Sequence, residues 1–164
     1  MPSGNRHPEV VRMAGGITPA GRNIGQADTE TFIAGNLLKY SSGYVAEISG
    51  NSDEKCQFLA REAGDNGTAK TEVNVLPLDG VVLSMTAYHA TPTSAITALD
   101  EYRSSYTDPK VVSSKCVVDV ANIGAHANAI AEIVGIDQRD TVGAQYSRYL
   151  VKIKPGRLNV DFDS

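Results

Sequence analysis

The densest group of side chains able to do chemistry is Asp137-Gln138-Arg139-Asp140. Two carboxylates three positions apart, with a guanidinium between them, could serve as a general acid/base site. The same residues also suit an ordered turn in which Arg139 pairs locally and the aspartates accept backbone N–H groups. The local sequence favours the turn. Other reactive residues are scattered. His7, His89 and His126 read as surface or loop histidines. Cys56 and Cys116 stand sixty positions apart with none of the close ligand spacing of a zinc site, so they read as two free thiols acting as small core hydrophobes. Gly64-Asp65-Asn66-Gly67 offers oxygen ligands, but too few at the fixed spacing of a calcium loop, and reads as an exposed turn. The chain has no phosphate loop, dinucleotide fingerprint, nucleophile elbow or H-E-x-x-H pair. No catalytic residue, metal ligand or cofactor is expected.

The segments that must position these residues are short and β-like. Around the polar cluster, Ile130–Ile136 and Tyr149–Ile153 read as two antiparallel strands with a long connection. Val151 and Ile153 alternate with Lys152 and Lys154, and Gly135 marks a bulge or a close backbone approach. Earlier, Phe32–Ile48 reads as two strands joined at Ser41-Ser42-Gly43. Gln57–Glu62 fits either a strand or one helical turn. Thr71–Leu76 and Val81–Tyr88 fit a β pair around Pro77-Leu78-Asp79-Gly80, and Val111–Ala121 resumes β character. A short helix is expected at 93–104, where Ile96, Leu99 and Tyr102 form one stripe behind a Thr93 or Ser94 cap. In the tail, Leu158, Val160 and Phe162 alternate with Asn159, Asp161 and Asp163, as in an edge strand or a strand added to a neighbour's sheet. These elements predict an all-β fold, a small barrel or sandwich of about seven to nine short strands.

The chain has 164 residues and is 41% hydrophobic but only 6% aromatic, without Trp. Its core must therefore rest on Val, Ile, Leu and Ala. A net charge of −4 argues against nucleic acid as a partner. No apolar run approaches the roughly 20 residues needed to cross a bilayer, and the N-terminus lacks the apolar region of a signal peptide. No membrane partner is expected, and the chain is expected to remain in the cytoplasm where it is made. Residues 1–30 differ from the rest: they are rich in Gly and Pro, and Arg6, Arg12 and Arg22 face only Glu9 before Asp28. With Val10, Val11 and Met13 as their one apolar cluster, they read as an extended N-terminal arm preceding a single β-rich domain over 31–164.

Several of these blocks resemble a known family. Phe32–Lys39 (F-x-A-G-x-L-x-K), Ala60-Arg61-Glu62-Ala63-Gly64, the Val-rich strands, Ile133–Asp140 (I-V-G-I-D-x-R-D) and Leu150–Ile153 (L-V-K-I) are together similar to head decoration, or cement, proteins of tailed bacteriophages. The resemblance spans residues 32–154. The segment from Thr93 to Pro109, with its expected helix, departs from the pattern. The resemblance implies a non-enzymatic, β-rich virion protein made in the host cytoplasm and bound, often as a homotrimer, to the outside of an icosahedral capsid. There it would bridge subunits of the major capsid protein. Arg6, Val10, Val11, Arg12, Met13 and Arg22 are the candidate contacts with capsid or with a neighbouring copy. Two alternatives are a tail-tube or connector subunit, and a β-domain enzyme or sugar-binding module using the loop from Asp137 to Asp140.

Overall fold

The computed structural model describes residues 6–13, 21–50, 54–65, 71–88, 106–120, 123, 129–140, 146–154 and 158. Twelve strands lie among them. In chain order the first six are β1 (Glu9–Met13), β2 (Arg22–Gly25), β3 (Leu37–Ser41), β4 (Tyr44–Glu47), β5 (Phe58–Ala60) and β6 (Glu72–Pro77). The others are β7 (Val81–Tyr88), β8 (Tyr106–Thr107), β9 (Lys110–Val112), β10 (Lys115–Asp119), β11 (Ala131–Ile136) and β12 (Arg148–Ile153). The expected all-β architecture is present, with more strands than the seven to nine read from sequence. The expected helix at 93–104 lies outside the described residues, as does most of the alternating tail.

The strands form two sheets. One has five antiparallel strands in the order β2-β6-β5-β3-β4. Its end strands meet, because Gln26, just after β2, makes a parallel bridge to Val45 of β4. The sheet therefore curls round a small core of Phe32, Leu38, Val45, Phe58, Ala60, Val73 and Val75. Leu37, Leu59 and Leu76 point the other way, into a second and larger buried cluster shared with the other sheet. Side chains on adjacent strand positions face opposite sides. This explains why Leu37-Leu38 and Phe58-Leu59-Ala60 are unbroken apolar runs: both faces of these strands are buried.

The seven-stranded sheet runs β8-β11-β12-β7-β10-β9. β7 is its hub. One edge pairs with β12; the other takes β1 along Val81–Ser84 and β10, in parallel, at Ala87 and Tyr88. Val81, Leu83, Met85 and Ala87 face the large cluster with Tyr149, Val151 and Ile153 of β12. The pairing of β11 with β12 is antiparallel, and its register shifts between Ile133 and Gly135, the bulge that Gly135 suggested.

Two sequence expectations need correction. β6 and β7 do not pair. β6 lies in the curled sheet and β7 in the other, so Pro77-Leu78-Asp79-Gly80 is a crossover between sheets, with the Leu78 amide donating to the Gln57 carbonyl. Two alternating runs flanking a turn specify strands but not their partners. Secondly, the described parts of residues 1–30 are not apart from the β domain: β1 and β2 are strands of the two sheets. A strand can join through backbone hydrogen bonds without an apolar cluster of its own.

Candidate functional site

β7 is buried on both faces although only one face is apolar. Ser84 and Thr86, on the side away from the large cluster, are 0% exposed. They are covered by residues 6–10 and by the turn after β11. The Ser84 hydroxyl donates to Asp137 Oδ2 at 2.6 Å, and the Arg6 amide donates to Thr86 Oγ1 at 3.0 Å. Over this face three carboxylates and three guanidiniums form one network.

Asp137 Oδ1 accepts from the Arg139 amide (3.1 Å) and from Arg139 Nε (2.9 Å), and Oδ2 also accepts from Arg139 Nη2. Asp140 Oδ2 accepts from the Arg148 amide (3.0 Å), Arg148 Nε (2.8 Å) and Arg6 Nη2 (3.0 Å), and Oδ1 accepts from Arg148 Nη2 (3.2 Å). Glu9 receives Arg139 through two nitrogens, at 3.1 and 3.2 Å, and Arg148 through Nη1 at 3.3 Å. Arg6 Nη2 also donates to the Tyr146 carbonyl at 3.0 Å. Sequence reading anticipated the turn and a local partner for Arg139, which the structure identifies as Asp137. It missed Arg148, Ser84 and Glu9, and it assigned Arg6 outward. One signal was available: Arg148 shares the outward face of β12 with Leu150 and Lys152, where a charge at a half-covered strand end needs a partner.

The electrostatics decide what the cluster can do. Hydrogen bonds from Arg139 hold the Asp137 carboxyl well below the usual carboxylate range, further helped by Ser84 and only partly opposed by burial. Burial pushes Asp140 upward, but the hydrogen bonds and charges of Arg148 and Arg6 outweigh it, and its pKa is lowered. Both carboxylates are ionised and filled with donors, so neither is set up to hand over a proton. Arg139 is correspondingly harder to deprotonate, through its bonds to Asp137 and Glu9. The arrangement fastens: it ties β1, the turn from Asp137 to Asp140 and the start of β12 together across the sheet.

The six candidate contact residues are placed differently. Arg6 is turned inward onto Asp140. Val10 is half-buried against the large cluster. Val11, at the register shift of β1 between Val10 and Arg12, is 39% exposed, the one exposed large hydrophobic side chain among the described residues. Arg12 and Met13 belong to β1, and their side chains lie outside the described structure. Arg22 opens β2 and is exposed. The structure thus gathers Arg6, Val10 and Val11 about the network and leaves Arg22 on the other sheet. Beside the network, a groove of about 640 Å³ lies between β1 and the turn, lined by Val10, Val11, Val82, Ile136 and Leu150, with Glu9 and Arg139 among its polar residues.

The remaining candidates have structural settings. Cys56 and Cys116 are free and buried. Burial raises both thiols, Cys116 to about 12, which leaves them unreactive core residues as the sequence suggested. His7 is exposed at the surface beside Gly35. Asp65, in the suggested calcium turn, exchanges two hydrogen bonds with the side chain of buried Gln26, at 2.6 and 3.1 Å. Among the described residues no group of three or more His, Cys, Asp or Glu side chains could hold a metal ion, and no helix is long and apolar enough to cross a membrane. His89, His126 and the helix at 93–104 lie outside the described residues. No family model, curated protein or solved structure matches the chain.

Proposed function

We propose that this chain is a non-enzymatic virion protein of a tailed bacteriophage that binds the outer surface of an icosahedral capsid and stabilises it by bridging subunits of the major capsid protein, acting as a homotrimer. The supporting observation is the build of the I-V-G-I-D-x-R-D block. The aspartates that would have carried acid/base chemistry are saturated by Arg6, Arg139 and Arg148 and serve to fasten the N-terminal strand to the sheet. That gives the best family signature a mechanical role, and it presents Val11 on a braced strand. Stabilisation would follow from buried interface: a protein that binds the intact shell more tightly than the loose one shifts the balance toward the intact form.

In this reading the outward contacts fall to Val11 and Arg22, whereas Arg6 holds the strand in place. The test is co-sedimentation of the purified protein with empty shells of the phage that encodes it, followed by heating of the decorated shells. The wild-type chain should bind and raise the temperature at which the shells open. Val11→Asp combined with Arg22→Glu should weaken binding at least about tenfold, the loss expected for apolar and ionic contacts together, with unchanged circular dichroism. Absence of wild-type binding would overturn the reading. Binding that the double variant leaves unchanged would remove these two residues from the interface.

A further inference from the structure

Among the described residues, the groove beside the network lies on the face of the seven-stranded sheet that turns away from the large cluster. Val82 and Leu150 alternate along β7 and β12 with residues of that cluster, so they point to the opposite side. Lys152 stands opposite Val82 and Ser84 opposite Leu150, which makes Val82 and Leu150 diagonal neighbours on this face. With Ile136 they floor a space of about 640 Å³, walled by Val10, Val11 and the turn from Asp137 to Arg139. A register shift lies in each flanking strand, at Val11 in β1 and beside Gly135 in β11, and such shifts bend the strand that carries them.

The floor is aliphatic, and the charges at the rim are paired with one another. Glu9 pairs with Arg139 and Arg148, Arg139 also with Asp137, and Arg148 with Asp140. A charged group entering here would have to displace one of these partners and leave a buried carboxylate or its guanidinium uncompensated. An uncharged apolar side chain enters without that cost and takes aliphatic surface out of water. Val11 lines the same space and is 39% exposed, on a strand that Glu9 ties to Arg139 and Arg148.

We propose that the groove receives an uncharged, apolar stretch of the major capsid protein, with an aliphatic or aromatic side chain seated over Val82 and Leu150. In the capsid-binding reading, on which this inference rests, Val11 stays an outward contact and packs beside the inserted side chain. The contact is then a socket rather than a flat patch, and its partner is selected by shape and apolarity. Exposed Arg22 lies on the other sheet, so ionic contacts made there are separate from this seat.

Co-sedimentation of the full-length protein with empty shells of the phage that encodes it tests the seat. Gln138 is exposed on the rim, so Gln138→Trp blocks the groove with an indole, and Gln138→Ala is its control. Leu150→Ser strips apolar surface from the floor and leaves the rim as it is. Gln138→Trp and Leu150→Ser should each weaken binding at least about tenfold with unchanged circular dichroism, while Gln138→Ala stays within about twofold of wild type. The loss caused by Leu150→Ser should be the same at about 50 and about 500 mM NaCl, because salt screens charges and not apolar contacts. Wild-type binding that Gln138→Trp leaves undiminished would overturn the groove as the seat while the capsid-binding reading stands. So would weakening by Gln138→Trp with full binding by a folded Leu150→Ser, the result of a rim contact without insertion. A Leu150→Ser loss that shrinks in high salt would point to a charged occupant and overturn the seat as well. Absence of wild-type binding would overturn both the seat and the reading beneath it.

Discussion

Asp140 is a buried carboxylate held by two guanidiniums. Its side chain is 6% exposed and it receives donors from Arg6 and Arg148, the latter only 11% exposed. Removing one partner of a buried pair leaves the other charge uncompensated, which costs about 3 kcal/mol or more. Asp140→Asn should therefore lower stability by about 3 kcal/mol in urea unfolding. Glu9→Gln, which breaks pairs to a residue that is itself 49% exposed, should cost less than about 1 kcal/mol. Similar losses for the two variants would contradict a buried fastening at Asp140. The depressed pKa values of Asp137 and Asp140 fix the direction of the acid response. A carboxyl whose folded pKa lies below its unfolded value stabilises the fold fully above the unfolded pKa, near 4, and loses that contribution as pH falls toward the folded value. The contribution of Asp137 and Asp140 to the urea midpoint should be lost as pH falls below about 4. The double variant with Asp137→Asn and Asp140→Asn should start lower and show a shallower acid decline.

Two hairpins of the fold close through left-handed turns. β3 and β4 meet at Ser42 (φ 52°) and Gly43 (φ 87°), and β9 and β10 at Ser113 (φ 50°) and Ser114 (φ 65°). Two positive φ values in a two-residue loop match the right-handed twist of the flanking strands, but they suit Asn-Gly better than Ser-Ser, because a Cβ crowds the left-handed conformation. The Ser-Ser turn is kept in place by the fold: the Ser114 carbonyl accepts from Asn36 Nδ2 at 2.9 Å, and Asn36 Oδ1 accepts from the Cys116 amide at 3.1 Å. Asn36 is fully buried and links the loop before β3 to the other sheet. Replacing Ser113-Ser114 by Asn-Gly keeps that carbonyl and relieves the backbone, so it should raise stability by about 1 kcal/mol, read as a higher urea midpoint. A lower midpoint would show that the serine side chains themselves hold the turn.

At the scale of the whole molecule, the two sheets share one buried cluster to which both contribute. Leu37, Leu59 and Leu76 come from the curled sheet; Leu83, Met85, Tyr149 and Val151 come from β7 and β12. Neither sheet can lose this contact without exposing apolar surface on the other, so the described fold should unfold as one unit. Leu37→Ala, at a position 0% exposed, should cost about 2–5 kcal/mol. Its far- and near-ultraviolet circular dichroism transitions should still coincide. Two separated transitions would mean that the curled sheet holds together on its smaller core alone.

Much of this was legible in the sequence because it depends on near neighbours along the chain. The period-2 patterns of Thr71–Leu76 and Tyr149–Ile153, the turn at Ser42-Gly43, the bulge at Gly135 and the pair made by Asp137 and Arg139 all follow from local rules of side-chain direction, backbone freedom and short-range hydrogen bonding. The partners of those elements do not. Nothing local states that β6 and β7 part company across Pro77–Gly80, that Gln26 closes the curled sheet against Val45, or that Arg6 and Glu9 reach Asp140, Arg139 and Arg148 more than a hundred residues away. Such contacts are chosen by the burial of whole faces and by the need of each buried charge and backbone group for a partner. The sequence by itself determined an all-β chain with a polar turn at Asp137–Asp140; only the tertiary structure made that turn a clasp for the N-terminal strand.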